Sequence, residues 1–378
     1  MKILQVSTVG TTLNSFLLPF ARAFKSEGWI VDAAASGIFD FDQVVSTHNR
    51  CFDVEFCRNP LNISKLLSSL RKIRKIIKKE KYDVVHVHTP IAAFLTRLAS
   101  IGVKQTKVYY TAHGFHYVSS NPFWKNGIFY LTEKIAGLKT DHLFVINNDD
   151  YNFALKYNIV KRELISYIHG IGVDPERYQY LPNAREEVFD ELELSENTIV
   201  ILHVAELNKN KNHDVMLKAL SMFKAKFPYC KVHYLIVGEG MKKHDLEVQI
   251  ESLDLMEHVS LLGRRNDIPK LLSACDIVTL SSIREGLPRC ILEAMCVKKP
   301  IIASNIRGCN DLLSTGAGIL VNEKSSELWA DAIESLCFSP KKRKLMGTVG
   351  RQLIDDKYSD DKIVDQVINV YKKDFKHD

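Results

Sequence analysis

The sequence contains no apolar stretch that approaches the roughly 20 residues that a membrane-spanning helix needs. Residues 1–6 also lack the apolar core of a secretion signal. The eight cysteines are scattered and include no Cys-x-x-Cys pair, so we interpret them as reduced core or incidental thiols. These absences predict a cytoplasmic protein without a membrane span.

Strong charge and cofactor motifs are also missing. The net charge is only +6, and no recognition module is evident, which argues against nucleic acid as a partner. No Gly-x-Gly-x-x-Gly follows the first strand, which disfavours a dinucleotide-dependent dehydrogenase. Metal patterns are weak: Asp40-x-Asp42 stands alone, and His86 and His88 share a strand face without a nearby third ligand. We expect no metal and no cofactor.

The length and the alternation of elements predict two α/β domains. A chain of 378 residues is too long for one core, and 46% apolar with 25% charged residues is ordinary for a globular protein. Short apolar strands alternate with helical segments throughout. A polar, acid-rich stretch over residues 182–197 predicts the linker. We therefore expect domains at residues 1–183 and 184–358, followed by a C-terminal helix at 359–378.

The most informative stretch is residues 282–293. It follows a short apolar run at 276–280, and the turn residues Gly286 and Pro288 precede a helix. This order puts Glu285 at the carboxyl end of a strand and Glu293 within the helix, whose free N–H groups favour phosphate. Each carboxylate could bind vicinal hydroxyls, and a nucleotide sugar offers two such pairs with a diphosphate between them. The alternative is that Glu285 caps the helix and Glu293 is a solvated surface residue.

The pattern Glu-Gly-x-Pro-x-x-x-x-Glu from Glu285 to Glu293, followed by Ala294-Met295 and residues 300–303, resembles retaining glycosyltransferases of family 4. The resemblance implies the GT-B fold, in which two doubly wound Rossmann-like α/β domains face each other across a cleft. It implies that the first domain binds the acceptor and the second the nucleotide-sugar donor. It assigns Glu285 to the donor sugar and Glu293 to the ribose. It also implies metal-independent front-face attack, in which the departing phosphate takes the proton of the acceptor.

The resemblance assigns further donor contacts. Lys211 matches the family lysine that neutralises the diphosphate, but Glu206 stands where an arginine is expected, so Lys209 or Arg264 would have to supply a second cation. Other donor contacts are expected from small or backbone groups at Gly10, Gly238, Gly286, Leu287 and Pro288. A carboxylate cannot bind phosphate, so Glu206 also keeps open a non-catalytic donor-binding subunit. A nucleotide-sugar epimerase or hydrolase is a further alternative.

In the first half, residues 107–111 predict a strand that leads to His113. The family has a histidine at this position, close to the reacting sugar, so His113 is expected to be catalytic together with Glu285 and Lys211. The alternatives are that His116 takes this role or that His113 is a core histidine bonded to backbone. Asn14, in a predicted polar loop at residues 10–16, and His116 are expected on the acceptor side.

Two segments bear on the acceptor. Residues 63–81 predict an amphipathic helix with many lysines and arginines, which either forms a solvated face or binds anionic lipid. Residues 123–130 are aromatic beside a lysine, which suits a membrane interface or a core helix. Within the family the chain is most similar to bacterial capsular or exopolysaccharide enzymes. We therefore expect a UDP-linked donor, a polyprenyl-diphosphate-linked acceptor and peripheral attachment to the anionic inner face of the membrane; the sequence does not indicate an oligomeric state.

Overall fold

The computed structural model describes residues 1–57, 59, 62–117 and 122–375. The chain divides into two compact units, Met1–Ile171 with Asp360–Asp378, and Gly172–Ser359. This division lies earlier than the boundary expected after residue 183, because Val173 already forms a bridge with Ser359. The stretch expected to be a linker contains instead a helix that buries Val188 and Phe189.

The first unit is built on a parallel sheet. Within its described residues the strand order is β3-β2-β1-β4-β5-β6-β7. The chain leaves the central strand towards β2 on one side and returns to β4 on the other, so the carboxyl ends of β1 and β4 form a switch point where open α/β sheets bind ligands. The strands are β1 (Lys2–Val9), β2 (Ile30–Ser36), β3 (Arg50–Asp53), β4 (Val84–His88), β5 (Lys107–Ala112), β6 (His142–Val145) and β7 (Ile165–Tyr167).

Helices connect these strands. The segment after β1 that was predicted to be a polar loop is helical. A helix starts at Gly10 and continues through a π-helical turn, Leu13–Leu17. The apolar side of the predicted basic helix packs inward through Ile73, Ile76 and Ile77. The helices are α1 (Gly10–Thr12), α2 (Leu18–Ser26), α3 (Asp42–Thr47), α4 (Ile63–Glu80), α5 (Pro90–Ala99), α6 (Phe123–Gly137) and α7 (Asn148–Lys156).

The second unit has its own parallel sheet, ordered β10-β9-β8-β11-β12-β13 among the described residues. Strands β11 and β12 are buried along their whole length, as expected for a parallel sheet covered on both faces. Its switch point lies between β8 and β11. The strands are β8 (Ile199–Val204), β9 (Val232–Val237), β10 (Val259–Leu261), β11 (Ile277–Leu280), β12 (Ile301–Ser304) and β13 (Gly318–Val321).

The remaining helices are those of the second unit, α8 to α15, and the last helix of the chain, α16. They are α8 (Ala184–Glu191), α9 (His213–Lys226), α10 (Lys243–Ser252), α11 (Ile268–Ala274), α12 (Arg289–Cys296), α13 (Cys309–Leu313), α14 (Ser326–Cys337), α15 (Pro340–Leu353) and α16 (Asp360–Phe375).

Helix α16 belongs to the first unit, where it packs through a buried tyrosine. The ring of Tyr371 stacks on Trp29 with centroids 5.8 Å apart and meets Tyr109 edge-on at 4.8 Å. Its hydroxyl lies 2.7 Å from Nδ1 of His86. These contacts tie the C-terminal segment to strands β4 and β5 beneath the first sheet.

In the part of the chain that the structure describes, no helix is both long and apolar enough to cross a membrane.

Candidate active site

At the switch point of the second sheet, a lysine and a glutamate form an ion pair. Lys211 follows β8 and Glu285 follows β11, and the Nζ of Lys211 lies 2.6 Å from Oε1 of Glu285. Burial disfavours the ammonium, but attraction to Glu285 outweighs this with help from the hydrogen bond, so the pKa of Lys211 is raised. The structure therefore brings together two of the three predicted catalytic side chains, with opposite charges that hold each other in place.

The asparagines around Lys211 explain how this position is held. The side chain of Asn208 accepts a hydrogen bond from the N–H of Lys211 at 3.1 Å, which caps a single 3₁₀ turn. The side-chain amide of Asn210 donates to the carbonyl of Arg284 at 3.0 Å. Asn212 takes a left-handed conformation with φ of 51°, which asparagine tolerates, and bonds the carbonyl of Glu323.

The loop that follows β11 also holds the Lys211 turn in place. Ser281 donates from its hydroxyl to the carbonyls of Lys211 and Asn212, at 2.9 and 3.0 Å. The N–H of Ile283 donates to the carbonyl of Asn210 at 2.7 Å. The alternating asparagines and lysines thus form a rigid joint between the ends of β8 and β11. The sequence motif indicated the lysine, whereas the roles of Asn210 and Asn212 depend on partners 74 and 111 positions away and were missed.

The turn at Gly286, Leu287 and Pro288 leads directly into α12, and Pro288 is its N-cap. Glu285 lies three residues before this N-cap, and its Oε1 pairs with Lys211. The loop after β12, which contains Gly308, packs against this turn. A Cβ added to Gly308 would lie 2.2 Å from the carbonyl oxygen of Gly286, so this close approach requires glycine.

Arg307 lies beside the same turn and was not singled out from the sequence. Its Nε donates to the carbonyl of Glu285 at 3.2 Å. Arg307 follows β12, the strand next to β11. No local motif marks this arginine, so only the strand order reveals that a cation stands next to the candidate site.

Glu293 lies inside the second unit, which excludes the alternative of a solvated surface residue. Its Oε1 accepts a hydrogen bond from the hydroxyl of Tyr178 at 2.7 Å and lies 3.2 Å from Nε of Arg289. Burial raises the pKa of Glu293, although Arg289 and Tyr178 oppose this shift. The carboxylate is thus positioned by two partners, one on its own helix and one from a distant loop.

Other predicted donor residues are not members of the ion pair. Glu206 and Lys209 are exposed at the end of β8, and Arg264 is exposed after β10. Strand β10 is three positions from β11, which at ~4.8 Å per strand corresponds to about 14 Å. Gly238, after β9, has a φ of +149°, and a Cβ there would lie 1.9 Å from the carbonyl oxygen of Ala205.

The first unit carries neutral histidines at the carboxyl ends of β4 and β5. His113 Nε2 and His88 Nδ1 share a hydrogen bond of 3.1 Å. Burial lowers the pKa of His113 to about 4 and that of His88 well below its usual value, so both rings are uncharged at neutral pH. The partner that the structure gives for His113 Nε2 is therefore the side chain of His88 and not the backbone.

His86, the other histidine on strand β4, is also hydrogen-bonded through both of its ring nitrogens. Its two ring nitrogens bond Thr111 at 2.8 Å and Tyr371 at 2.7 Å, and burial lowers its pKa to about 3. Among the described residues, no group of three or more His, Cys, Asp or Glu side chains is arranged to hold a metal ion.

The remaining first-unit residues occupy different places. A Cβ at Gly10 would lie 2.8 Å from the carbonyl of Gly37, so this glycine allows two loops to pack closely. Asn14 lies in the π-helical turn and is half-buried. His116 packs its ring on Phe129 with centroids 5.3 Å apart. The roles of these residues stay predictions.

Comparison with known proteins identifies the family. The model described as Glycosyltransferase Family 4 matches residues 14–177, and the one described as Glycosyl transferases group 1 matches residues 184–353. EpsD of Bacillus subtilis, which is named as a glycosyltransferase, is 32% identical over 376 residues, covering 98% of this chain and 96% of that protein. This chain belongs to glycosyltransferase family 4.

Other relatives and solved structures agree. An Escherichia coli protein named UDP-Gal:alpha-D-GlcNAc-diphosphoundecaprenol alpha-1,3-galactosyltransferase is 30% identical over 317 residues, or 83% of this chain and 81% of that protein. The crystal structure of Anabaena HepE in complex with UDP has a TM-score of 0.83 at 21% identity, covering 99% of this chain and all of that one. The GT-B fold predicted from the sequence is confirmed, and the protein is a glycosyltransferase.

Proposed function

We propose that this family 4 glycosyltransferase transfers a sugar, with retention, from a UDP-sugar to a polyprenyl-diphosphate-linked saccharide in capsular or surface polysaccharide synthesis. The observation that carries the proposal is the Lys211–Glu285 ion pair at the switch point of the second sheet. Transfer from a nucleotide sugar requires a cation at the leaving diphosphate and an acceptor of hydrogen bonds at the sugar hydroxyls. The pair supplies both groups side by side.

Lys211 is assigned to the diphosphate and Glu285 to the sugar. The raised pKa of Lys211 keeps it cationic at neutral pH, when the leaving group gains negative charge. The N-terminus of α12, which begins just after Pro288, adds N–H donors for the same phosphates. These protein groups can neutralise the leaving group, so the proposal includes no metal ion and no cofactor.

Glu293 is assigned to the ribose hydroxyls. Among the described residues, Tyr178 and Arg289 both contact Oε1 of Glu293, so its second oxygen remains for a diol. Arg307 is added to the predicted cations because it lies beside Glu285, whereas Arg264 is separated from β11 by two strands. The arginine that the family pattern expects at Glu206 is thus replaced, in this proposal, by one that enters from β12.

The chemical step is a front-face substitution. The bond from the sugar C1 to the phosphate oxygen breaks, the bond from C1 to the acceptor oxygen forms on the same face, and the acceptor proton moves to the departing phosphate. Neutral His113 is proposed to hydrogen-bond the reacting sugar, since its lowered pKa leaves an uncharged ring at pH 7. Asn14 and His116 are proposed for the acceptor.

The UDP donor and the lipid-linked acceptor are supported by relatives. The Escherichia coli relative is named for UDP-Gal and a diphosphoundecaprenol-linked acceptor, and a Campylobacter jejuni relative at 23% identity is named for a diphospho-undecaprenol acceptor. HepE has been crystallised with UDP-glucose. A Staphylococcus aureus relative at 24% identity is named for capsular polysaccharide biosynthesis.

Peripheral attachment to an anionic membrane is proposed from helix α4. The apolar side of its C-terminal half packs internally through Ile73, Ile76 and Ile77. Five of its cations are exposed and have no ion-pair partner among the described residues: Arg71, Lys72, Lys75, Lys78 and Lys79. Each such charge near an anionic leaflet contributes about 1 kcal/mol, and salt screens the attraction. Binding to anionic vesicles should therefore fall steeply as salt rises.

The first experiment is a thermal-shift screen with nucleotide sugars, followed by transfer to a short-chain polyprenyl-diphosphate saccharide. UDP-sugars should raise the melting temperature, since a ligand at 100 times its Kd stabilises the folded state by about 2.7 kcal/mol. The product should keep the anomeric configuration of the donor, measured by NMR. An inverted product would contradict retention.

The same assay separates the alternatives. UDP release without acceptor would identify a hydrolase or an epimerase. Donor binding without turnover in any acceptor mixture would identify a non-catalytic subunit.

A further inference from the structure

Helix α6 carries an exposed apolar stripe. Trp124, Ile128, Leu131, Ile135 and Leu138 recur at alternating intervals of four and three residues, so they share one face. Each of them is between 44% and 88% exposed, and Phe123 beside them is 94% exposed. Contiguous apolar surface of this kind on a soluble protein marks an interaction site.

The opposite side of α6 fixes this orientation. Its acid, Glu133, turns inward and pairs with the buried Arg97 at 2.9 Å. Gly137 packs so closely that a Cβ would lie 2.1 Å from the carbonyl of Ile159. The stripe therefore faces outward because the helix is anchored on its polar and small side. Tyr130, which belongs to the aromatic stretch noted in the sequence, packs on the core instead.

The stripe lies on the same side of the first sheet as the basic face of α4. The chain passes from β3 to β4, β5 and β6 in one direction across the sheet, so right-handed crossovers place α4, α5 and α6 on one face. Helix α5 contacts both neighbours. Exposed Ile63 and Leu67 at the start of α4 extend the apolar area.

We propose that the α6 stripe inserts into the headgroup region of an anionic bilayer, beside the phospholipid headgroups bound by α4. The inference rests on the proposed lipid-linked acceptor and names the element that enters the membrane. Trp and Phe at one end of the stripe suit the membrane–water boundary. A row of cations next to an apolar helix face complements an anionic leaflet in both charge and polarity.

The charge of this side disfavours a second copy of the chain as the occupant. A dimer formed through α6 would bring together two copies of a face that carries the exposed cations of α4, and repulsion between like charges opposes this. A bilayer with anionic lipids attracts the same charges.

Trp124 makes the proposal directly measurable in the full-length protein. The chain has three tryptophans; Trp329 is fully buried and Trp29 is partly buried against Phe24 and Tyr371. Vesicles of phosphatidylcholine with phosphatidylglycerol should shift the emission of Trp124 to the blue, and brominated acyl chains should quench it. Pure phosphatidylcholine should give a weaker response.

The variant Leu131→Glu/Ile135→Glu should bind the anionic vesicles at least tenfold more weakly at every salt concentration. Leu345→Glu, on α15 in the second unit and 66% exposed, is the matched control and should bind as the unchanged protein does. Lys72→Glu/Lys75→Glu should remove the salt-sensitive part of binding and leave a weak salt-insensitive part.

Vesicle binding by Leu131→Glu/Ile135→Glu equal to that of Leu345→Glu would overturn the proposal. So would a lipid-free dimer, detected by analytical ultracentrifugation, that the same double variant dissociates. UDP thermal shift of the double variant and its transfer to a detergent-soluble acceptor should stay unchanged. If the unchanged protein did not bind UDP, the proposed function would be refuted instead, so the two failures can be told apart.

Discussion

At the carboxyl end of the second sheet an ammonium and a carboxylate meet at 2.6 Å, whereas at the same end of the first sheet two imidazoles meet at 3.1 Å. The pKa of Lys211 is raised, so its charge is kept, while the pKa of His113 is lowered to about 4, so its charge is removed. The second sheet carries an ion pair at its switch point, whereas the first carries two uncharged imidazoles at the ends of β4 and β5. The charged pair suits the proposed role in stabilising a leaving anion, and the neutral pair suits the proposed hydrogen bonds to hydroxyl groups.

Removing the carboxylate from the charged pair should have the largest effect. Glu285→Gln should lower transfer by about 100- to 1000-fold, the range for losing a group that acts at the transition state. UDP affinity should stay equal or rise, because Lys211 loses a competitor for its ammonium. Initial rates and isothermal titration calorimetry would measure both. Transfer near the normal rate would remove Glu285 from the site.

Removing the cation should come next. Lys211→Met should lower transfer by about 100-fold and weaken UDP binding by roughly 1.5–3 kcal/mol, the contribution of a hydrogen bond to a charged group. The matched control is Lys209→Met, two residues away on the same turn but exposed, which should change affinity by less than about twofold. Equal effects of the two variants in calorimetry would show that neither lysine is specific for the diphosphate.

Glu293 tests the nucleotide side of the donor unit. Glu293→Ala should weaken binding of UDP by roughly 1.5–3 kcal/mol but leave the affinity for inorganic diphosphate unchanged, since the carboxylate is assigned to the ribose. Calorimetry with both ligands separates this from general damage to the unit. Unchanged UDP affinity would leave Glu293 with a structural role through Tyr178 and Arg289 only.

Because His88 and His113 in the first unit are buried and uncharged, we expect the stability of the protein to depend on pH. The folded pKa of His113 lies near 4, below the ordinary 6.5, so the unfolded chain binds more protons between these values and stability falls as pH is lowered from about 6.5 to 4. His88 and His86 shift in the same direction. His88→Asn should keep a bond to His113 and make urea denaturation less sensitive to this pH change. An unaltered pH dependence would show that His88 is not among the groups responsible.

The smallest effect is expected at Glu206. Glu206→Arg replaces an exposed carboxylate near the predicted diphosphate by a cation, which should raise UDP affinity by about two- to fivefold, less at high salt. Titrations at two salt concentrations would show this. A sharp loss of transfer would instead reveal a positive role for Glu206.

Much of the second unit was predictable because its signals are local. The short buried run of β11, the Gly-x-Pro turn and the spacing of Glu285 and Glu293 all lie within about 20 residues. The first unit was less predictable. The polar segment at residues 10–16 was expected to be a loop, but it packs as a helix because Leu13 and Leu17 are buried. The stretch at residues 182–197 was expected to be a linker because of its polar composition, but it contains α8, whose Val188 and Phe189 are buried.

The sequence by itself determined the alternation of strands and helices, the family and the residue types at the strand ends, since these depend on periodicity and short motifs. Only the tertiary structure decided which of those residues meet. Lys211 and Glu285 are 74 positions apart and Tyr178 and Glu293 are 115 apart, and their contacts follow from the order of strands and loops around the sheet. The same holds for Arg307, which no motif marks, and for the outward stripe of α6, because a helix pattern shows which residues share a face but not which face is covered.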